Sequence, residues 1–273
     1  MYQQYYGLSS LPFQKGVRGE GIYAGKGFSE ALARLQFVVK TSQAGLLLGE
    51  TGSGKTTVIR ALLDELDPNK ARLCYLNNPT LKSRGIFRDL CVFLGERPSY
   101  RMAETWATLR EYFQKKQHPG VILIIDEIHL ASYETLEALR LFFDFEGLGD
   151  PKAGSVSPFS LILLGHTDFS VKLKISSYQS LNQRIAIRYH LSPLDLEETL
   201  AYIKHHMKTA GSRRPVFEDD ALEMIFETTG GIPRKINLIC QSALLLGASE
   251  EKTVIGKSII KRVVADLRAA MVG

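Results

Sequence analysis

Eight residues constrain this chain more than any other stretch: Gly49-Glu50-Thr51-Gly52-Ser53-Gly54-Lys55-Thr56 match the pattern G-x-x-x-x-G-K-[ST]. Leu46-Leu47-Leu48 stands before them as a strand, and TTVIRALLDEL follows as a helix beginning at Thr56-Thr57. Each constraint has a physical reason. Glycines let the backbone curl so that successive N–H groups point at phosphate oxygens. The helix that follows turns its positive dipole end toward the same anion. A lysine at position 55 can reach the β- and γ-phosphates of a nucleoside triphosphate, and the Thr56 hydroxyl can ligate Mg²⁺. Residues 49–57 are therefore the candidate binding loop for ATP and Mg²⁺, set at the end of a strand.

The surrounding pattern supplies the sheet that such a loop needs. Short apolar runs predict strands at Ala44–Gly49, Arg72–Asn77, Gly120–Asp126, Phe159–Gly165 and Ile185–His190. Amphipathic stretches predict helices over 28–42, 54–66, 83–95, 102–117, 132–145 and 168–182. Strands alternating with helices imply an α/β fold with a parallel sheet. The run VILIID is apolar throughout, as a strand buried on both faces should be. After His190 the strands stop. Asp195 can cap a helix with Glu198 completing a capping box. Ala221, Leu222, Ile225 and Phe226 share one helix face, Gly230-Gly231 stops that helix, and Pro233 suits the first turn of the next. A last helix fits about Gly256 to Met271. The expected division is thus 1–192, a nucleotide-binding α/β domain, and 193–273, a small all-helical lid, joined at Ser192-Pro193. The segment Gly147–Pro158 reads as a surface loop.

Composition excludes other classes. Of 273 residues, 45% are hydrophobic and 23% charged, which is ordinary for a globular chain and unlike a disordered one. No apolar run approaches the length of a bilayer span, and the first residues carry no basic-then-apolar leader, so no membrane partner is expected. Cys74, Cys91 and Cys240 lie in apolar patterns without metal-ligand spacing and read as buried, reduced thiols of a cytoplasmic protein. His205-His206 lacks a third ligand nearby and reads as solvated helix surface. Lys plus Arg is 34 against 29 for Asp plus Glu, a net +5 that permits nucleic-acid binding.

Val121-Ile122-Leu123-Ile124-Ile125-Asp126-Glu127 carries the second chemical element. A buried strand ending in two acids places Asp126 to ligate Mg²⁺ and Glu127 to orient and deprotonate a water. A strand-end acidic helix cap is the plain alternative. Phosphoryl transfer also needs groups that sense the γ-phosphate and neutralise charge as it develops. Three candidates stand at suitable places. His166 ends the run Leu161 to Gly165, Arg184 precedes the last strand, and Arg234 opens the helix after Gly231-Ile232-Pro233. Their structural alternatives are a packed histidine, a surface arginine and a salt bridge at a helix start.

Taken together, these motifs resemble an AAA+ ATPase: a Walker A loop, a Walker B strand, a polar residue at a strand end, an arginine before the last strand, and GIPRKIN in a helical lid. The finer resemblance is to ATPases of the general secretion pathway protein A type. It rests on Tyr5-Tyr6-Gly7-Leu8 with Pro12-Phe13, GETGSGKTT, DEIHL, LILLGHTD, LNQRIAIRYHLSPLDLEET and GGIPRKINLICQSALLL, which span nearly the whole chain. The resemblance implies that Arg184 is an arginine finger acting on a neighbouring subunit, that Arg234 is a sensor-2 residue acting in cis, and that His166 occupies sensor 1, where many members have Gln. It places Leu8, Pro12 and Phe13 near the adenine, their alternative role being core packing. Secretion members continue into a membrane span and a peptidoglycan-binding module. A chain that ends just past the lid resembles instead the accessory ATPases of DNA transposons. Those bind duplex DNA with ATP, form homo-oligomeric rings or helical filaments and recruit a transposase. That is the expected role, with a secretion or envelope-assembly ATPase acting on a protein partner as the alternative. In initiator-type relatives the region after the second strand faces the central channel. Residues 82–101 carry Lys82, Arg84, Arg88, Arg97 and Arg101 against Asp89 and Glu96. Thr80, Lys82, Arg84 and Arg88 are the candidate phosphate-tracking residues on DNA, the alternative being a solvated basic helix face.

Overall fold

A computed structural model describes residues 2–77, 82–115, 120–143 and 159–272. In chain order its elements are α1 (Tyr2–Tyr5), α2 (Lys26–Lys40), β1 (Ala44–Gly49), α3 (Lys55–Glu65), β2 (Ala71–Leu76), α4 (Ser83–Leu94), α5 (Met102–Gln114), β3 (Gly120–Ile125), α6 (Tyr133–Phe143), β4 (Phe159–Gly165), α7 (Phe169–Lys172), α8 (Gln179–Arg184), β5 (Ile185–Leu191), α9 (Leu196–Thr209), α10 (Asp219–Thr229), α11 (Pro233–Ser249) and α12 (Lys257–Val272). Two compact units are present. One comprises Glu30–Gly49 and Leu62–His190; the other comprises Met1–Ser29, Glu50–Ala61 and Leu191–Gly273.

The first unit holds a five-stranded sheet in the order β2-β3-β4-β1-β5. β2 pairs with β3, β3 with β4, and β4 with β1, each in parallel. Every residue of β1 and β4 is buried, as is all of β3 after Gly120. These are the continuous apolar runs of the sequence, and helices on both faces require them. At the edge, β5 alternates instead and buries only Ile185 and Leu191. Register aligns the carboxyl ends: Leu76 pairs Ile125, Ile125 pairs Leu163, and Leu48 pairs Gly165. Whatever follows those strands is therefore delivered to one rim, the rim at which open α/β sheets hold their ligands. Below it, Phe87, Phe142 and Phe159 pack in series with centroids 4.8 and 5.4 Å apart.

The expected helix over 168–182 is interrupted. It divides into α7 and α8, with Ile175 in extended backbone and a short 3-10 turn at Ser176–Tyr178. Adjacent serines compete with helical backbone for hydrogen bonds, and the apolar pattern alone does not register that. On α4 the buried face is Ile86, Phe87, Leu90, Cys91 and Leu94. Helical periodicity over 83–95 predicts a buried face of Ile86, Leu90, Phe93 and Leu94, but Phe93 is only partly buried and carries the Arg72 guanidinium 5.0 Å over its ring.

The second unit is built around α9 to α12. Asp195 caps α9 by accepting from the Glu198 N–H at 2.8 Å. The reciprocal half of the expected box is not made, because the Glu198 carboxylate accepts the Lys26 N–H instead. Gly230 ends α10 in the left-handed region, and Pro233 opens α11. Gly231 has no alternative, since a Cβ there would lie 1.8 Å from the Leu194 carbonyl oxygen. The N-terminal segment belongs to this core: Tyr2, Leu8 and Phe13 are buried with Ile203, Ile236 and Leu244. Gln241 Nε2 donates to the Phe13 carbonyl at 2.9 Å.

His206 departs from the sequence expectation. It is 5% exposed, on the same face of α9 as Tyr202, Ile203 and Met207, with its ring 4.4 Å from Tyr202 and 5.3 Å from Phe13. Burial, and then the neighbouring His205, push its pKa down to about 4. An unfolded chain takes up this proton near the ordinary histidine value while the folded one resists. Stability conferred by the neutral ring is therefore complete above about pH 6.5 and is lost progressively as pH falls toward about 4, roughly 3 kcal/mol in all. Urea unfolding between pH 7 and 4 should show this slope, and His206→Phe should flatten it; an unchanged slope would refute the assignment.

Candidate nucleotide site

The loop between β1 and α3 is curled by two glycines, with φ of +88° at Gly52 and +107° at Gly54. Ser53 N–H closes the turn on the Glu50 carbonyl at 3.1 Å, and Thr57 and Val58 N–H both return to the Gly54 carbonyl. Lys55 Nζ donates to the Glu50 carbonyl at 3.0 Å, which holds the ammonium over its own loop. Ser53 Oγ is buried and has no hydrogen-bond partner among the described residues. A buried hydroxyl without a partner is costly, and an anion's oxygen would satisfy it. The curled backbone, the lysine and this hydroxyl together fit a polyphosphate. Thr51 and Thr56 are exposed, and Gly49 is buried at the strand end.

Arg234 belongs to the same unit. Its N–H donates to the Gly52 carbonyl at 3.3 Å, and a Cβ on Gly52 would fall 2.6 Å from Arg234 Cβ. Gly52 is thus required twice, for its positive φ and for this close approach. The Arg234 side chain is exposed. Leu8, Pro12 and Phe13 are all buried, Phe13 at 1% exposure with φ +60°.

In the sheet unit, β3 delivers Asp126 and Glu127. Asp126 Oδ1 accepts the Glu127 N–H at 2.8 Å, and Oδ2 accepts the Tyr75 hydroxyl. Tyr75 was not singled out by sequence reasoning, and no motif marks it; it arrives through the pairing of β2 with β3. Glu127 takes φ +53°, ψ 36°. A non-glycine residue there is strained by about 1–3 kcal/mol, and such strain concentrates at functional sites. His166 follows β4, with Nδ1 3.0 Å from Asp168 Oδ2 and 3.4 Å from the Thr167 hydroxyl. Arg184 is the exposed last residue of α8, directly before β5. Lys82, Arg84 and Arg88 are exposed on and before α4; Arg84 lies 4.1 Å over the ring of Tyr100, itself 83% exposed. Thr80 lies outside the described residues.

Residues 39–173 match the family described as AAA domain. The chain carries an AAA ATPase domain there and is similar to an ATPase of the general secretion pathway. It is 32% identical over 250 residues to General secretion pathway protein A of Aeromonas hydrophila, over 90% of this chain and 44% of the relative. The ATPase thus spans less than half the length of that relative. Its fold is also that of Drosophila ORC bound to DNA, at 14% identity and a TM-score of 0.69 over 97% of this chain and 65% of that one. The Aeropyrum pernix ORC2 protein in its ADPNP-ADP complexes gives 15% and 0.64, over 97% and 71%. The Thermotoga maritima RuvB Holliday junction branch migration motor gives 21% and 0.58, over 89% and 67%. Family membership makes ATP the substrate and Mg²⁺ the metal. Among the described residues, no helix of the ATPase is long and apolar enough to cross a membrane.

Proposed function

We propose that this ATPase hydrolyses ATP as a homo-oligomer, ring or helical filament, assembled on duplex DNA, and that it regulates DNA transposition by recruiting or stimulating a transposase. In this reading Glu127 is the general base, and Lys55 and Arg234 hold the β- and γ-phosphates. His166 contacts the γ-phosphate, and Arg184 acts on the site of the next subunit. Thr56 and Asp126 would hold Mg²⁺, which when bound neutralises charge on the phosphate oxygens. The Asp126 contact with Tyr75 fixes that carboxylate from behind, as groups outside a metal's ligand set commonly do.

One observation carries the DNA assignment. α4 buries Ile86, Phe87, Leu90, Cys91 and Leu94 and leaves Arg84 and Arg88, with Lys82 just before it, in solvent. Arg84 stacks on the exposed Tyr100 ring, and a line of exposed cations along and just before one helix suits a phosphate backbone. Drosophila ORC, whose structure is bound to DNA, shares this fold, which supports the reading. The 32% identity to General secretion pathway protein A supports the second reading, an ATPase acting on a protein partner in secretion or envelope assembly.

Sedimentation and ATPase rate with and without duplex DNA, at two salt concentrations, separate these readings. The DNA reading expects ATP-dependent co-sedimentation that weakens steeply with salt. It also expects Lys82→Glu with Arg84→Glu to lower retention more than about tenfold and to flatten the salt slope by about two. Wild-type indifference to DNA would favour the protein-partner reading. Unchanged affinity in the double variant would remove these residues from the interface.

A further inference from the structure

Behind Glu127 the chain makes a second provision that the assigned roles do not use. Its left-handed backbone turns β3 into a 3-10 turn, Ile128–Leu130. That turn sits hard against the tip of β4: a Cβ on Gly165 would come within 3.0 Å of Ile128 Cγ2. From the other side Lys172 Nζ donates to the Ala131 carbonyl at 2.8 Å and reaches the His129 carbonyl at 3.5 Å. The turn is therefore clamped between β4 and α7, and the clamp fixes where His129 lies.

The His129 imidazole stands between Glu127 and the β4 tip. Its Nδ1 accepts the backbone N–H of His166 at 3.3 Å and lies 3.5 Å from Glu127 Oε2. The two histidine rings are 5.9 Å apart. A ring nitrogen has one in-plane position for a hydrogen bond. While Nδ1 accepts from His166 N–H it carries no proton and cannot donate to the carboxylate. Were it to donate to Oε2, it would have to give up His166, and the bond would stabilise the charged carboxylate and make it a weaker base.

We infer that His129 is a positioning residue for Glu127: tied by Nδ1 to the backbone of His166, its ring borders the carboxylate on one side without donating to it, and so holds the base in place and usable. The consequence is directional. A shift of the β4 tip moves the N–H that fixes His129 and reaches Glu127 through the ring. This inference rests on Glu127 being the base.

The test is kinetic and uses the full chain. His129→Ala should lower kcat about tenfold, because a displaced base loses its near-attack geometry, while KM and ATP affinity stay within about twofold of wild type. His129→Asn keeps an acceptor at the position of Nδ1 and should recover kcat to within about threefold of wild type. In a Glu127→Gln background, His129→Ala should cause no further fall, since its effect passes through the carboxylate. An active wild type whose kcat survives His129→Ala would overturn the inference, as would an equal proportional fall in both backgrounds or a change confined to KM. Normal turnover by Glu127→Gln alone would instead overturn the base assignment, and this inference with it.

Discussion

Glu127→Gln is expected to bind ATP and Mg²⁺ with near wild-type affinity and to turn over about a hundredfold to ten-thousandfold more slowly, the span attributed to a positioned general base. The substitution is well suited to the question because it changes little else. Glutamine has the size of glutamate and meets the left-handed backbone at residue 127 on similar terms. The bond that orients Asp126 from this position is donated by the backbone N–H, which any residue supplies. What disappears is the carboxylate's capacity to take a proton from water. Nucleotide binding and single-turnover hydrolysis, measured on the same preparation, separate those properties. ATP should also hold the variant in its assembled form, visible as persistent fast-sedimenting material. Hydrolysis at the wild-type rate would show that Glu127 is only the strand-end acid its position also allows.

How much of this site was readable in the sequence follows from what each contact depends on. The phosphate loop, Asp126 and Glu127 were legible because their chemistry is local: a strand, a fixed spacing and a helix suffice. His166 and Arg184 were legible as positions, at the end of β4 and the start of β5, since strand ends are marked by where apolar runs stop. Tyr75 was not, because its hydroxyl meets Asp126 only through a register that pairs Leu76 with Ile125. The same holds for His129, whose contact with the His166 backbone requires β3 and β4 to be neighbours. Long-range packing hid the rest. Core packing is only the alternative reading of Phe13, and nothing in either local pattern announces its partner Gln241, far along the chain. Periodicity gave the apolar faces of α4 and α10 but erred at their margins: Phe93 and Phe226 are half-exposed, while Phe87 and Thr229 are buried. A face wider than one stripe accommodates whichever side chains the neighbouring elements reach.

Arg184→Ala should lose hydrolysis by about a thousandfold or more while every residue of its own phosphate loop remains intact, the scale associated with an arginine that neutralises the transferring phosphoryl group. Arg184 ends α8 and leads into β5, which among the described residues closes the sheet order at one edge, beside β1. A side chain exposed on an edge strand's approach stands where a second copy in a head-to-tail assembly can meet it, and such assemblies give each site one residue from next door. Mixing tests this directly. Arg184→Ala subunits retain a base but offer no arginine; Glu127→Gln subunits offer the arginine but have no base, and they still assemble with ATP. In a random equal mixture, about a quarter of head-to-tail junctions pair an intact base with an intact arginine. ATPase activity should therefore reappear when two inactive proteins are combined, to about that fraction of wild type. Arg184 acting within its own subunit predicts no recovery at any ratio, because neither chain then carries a complete site.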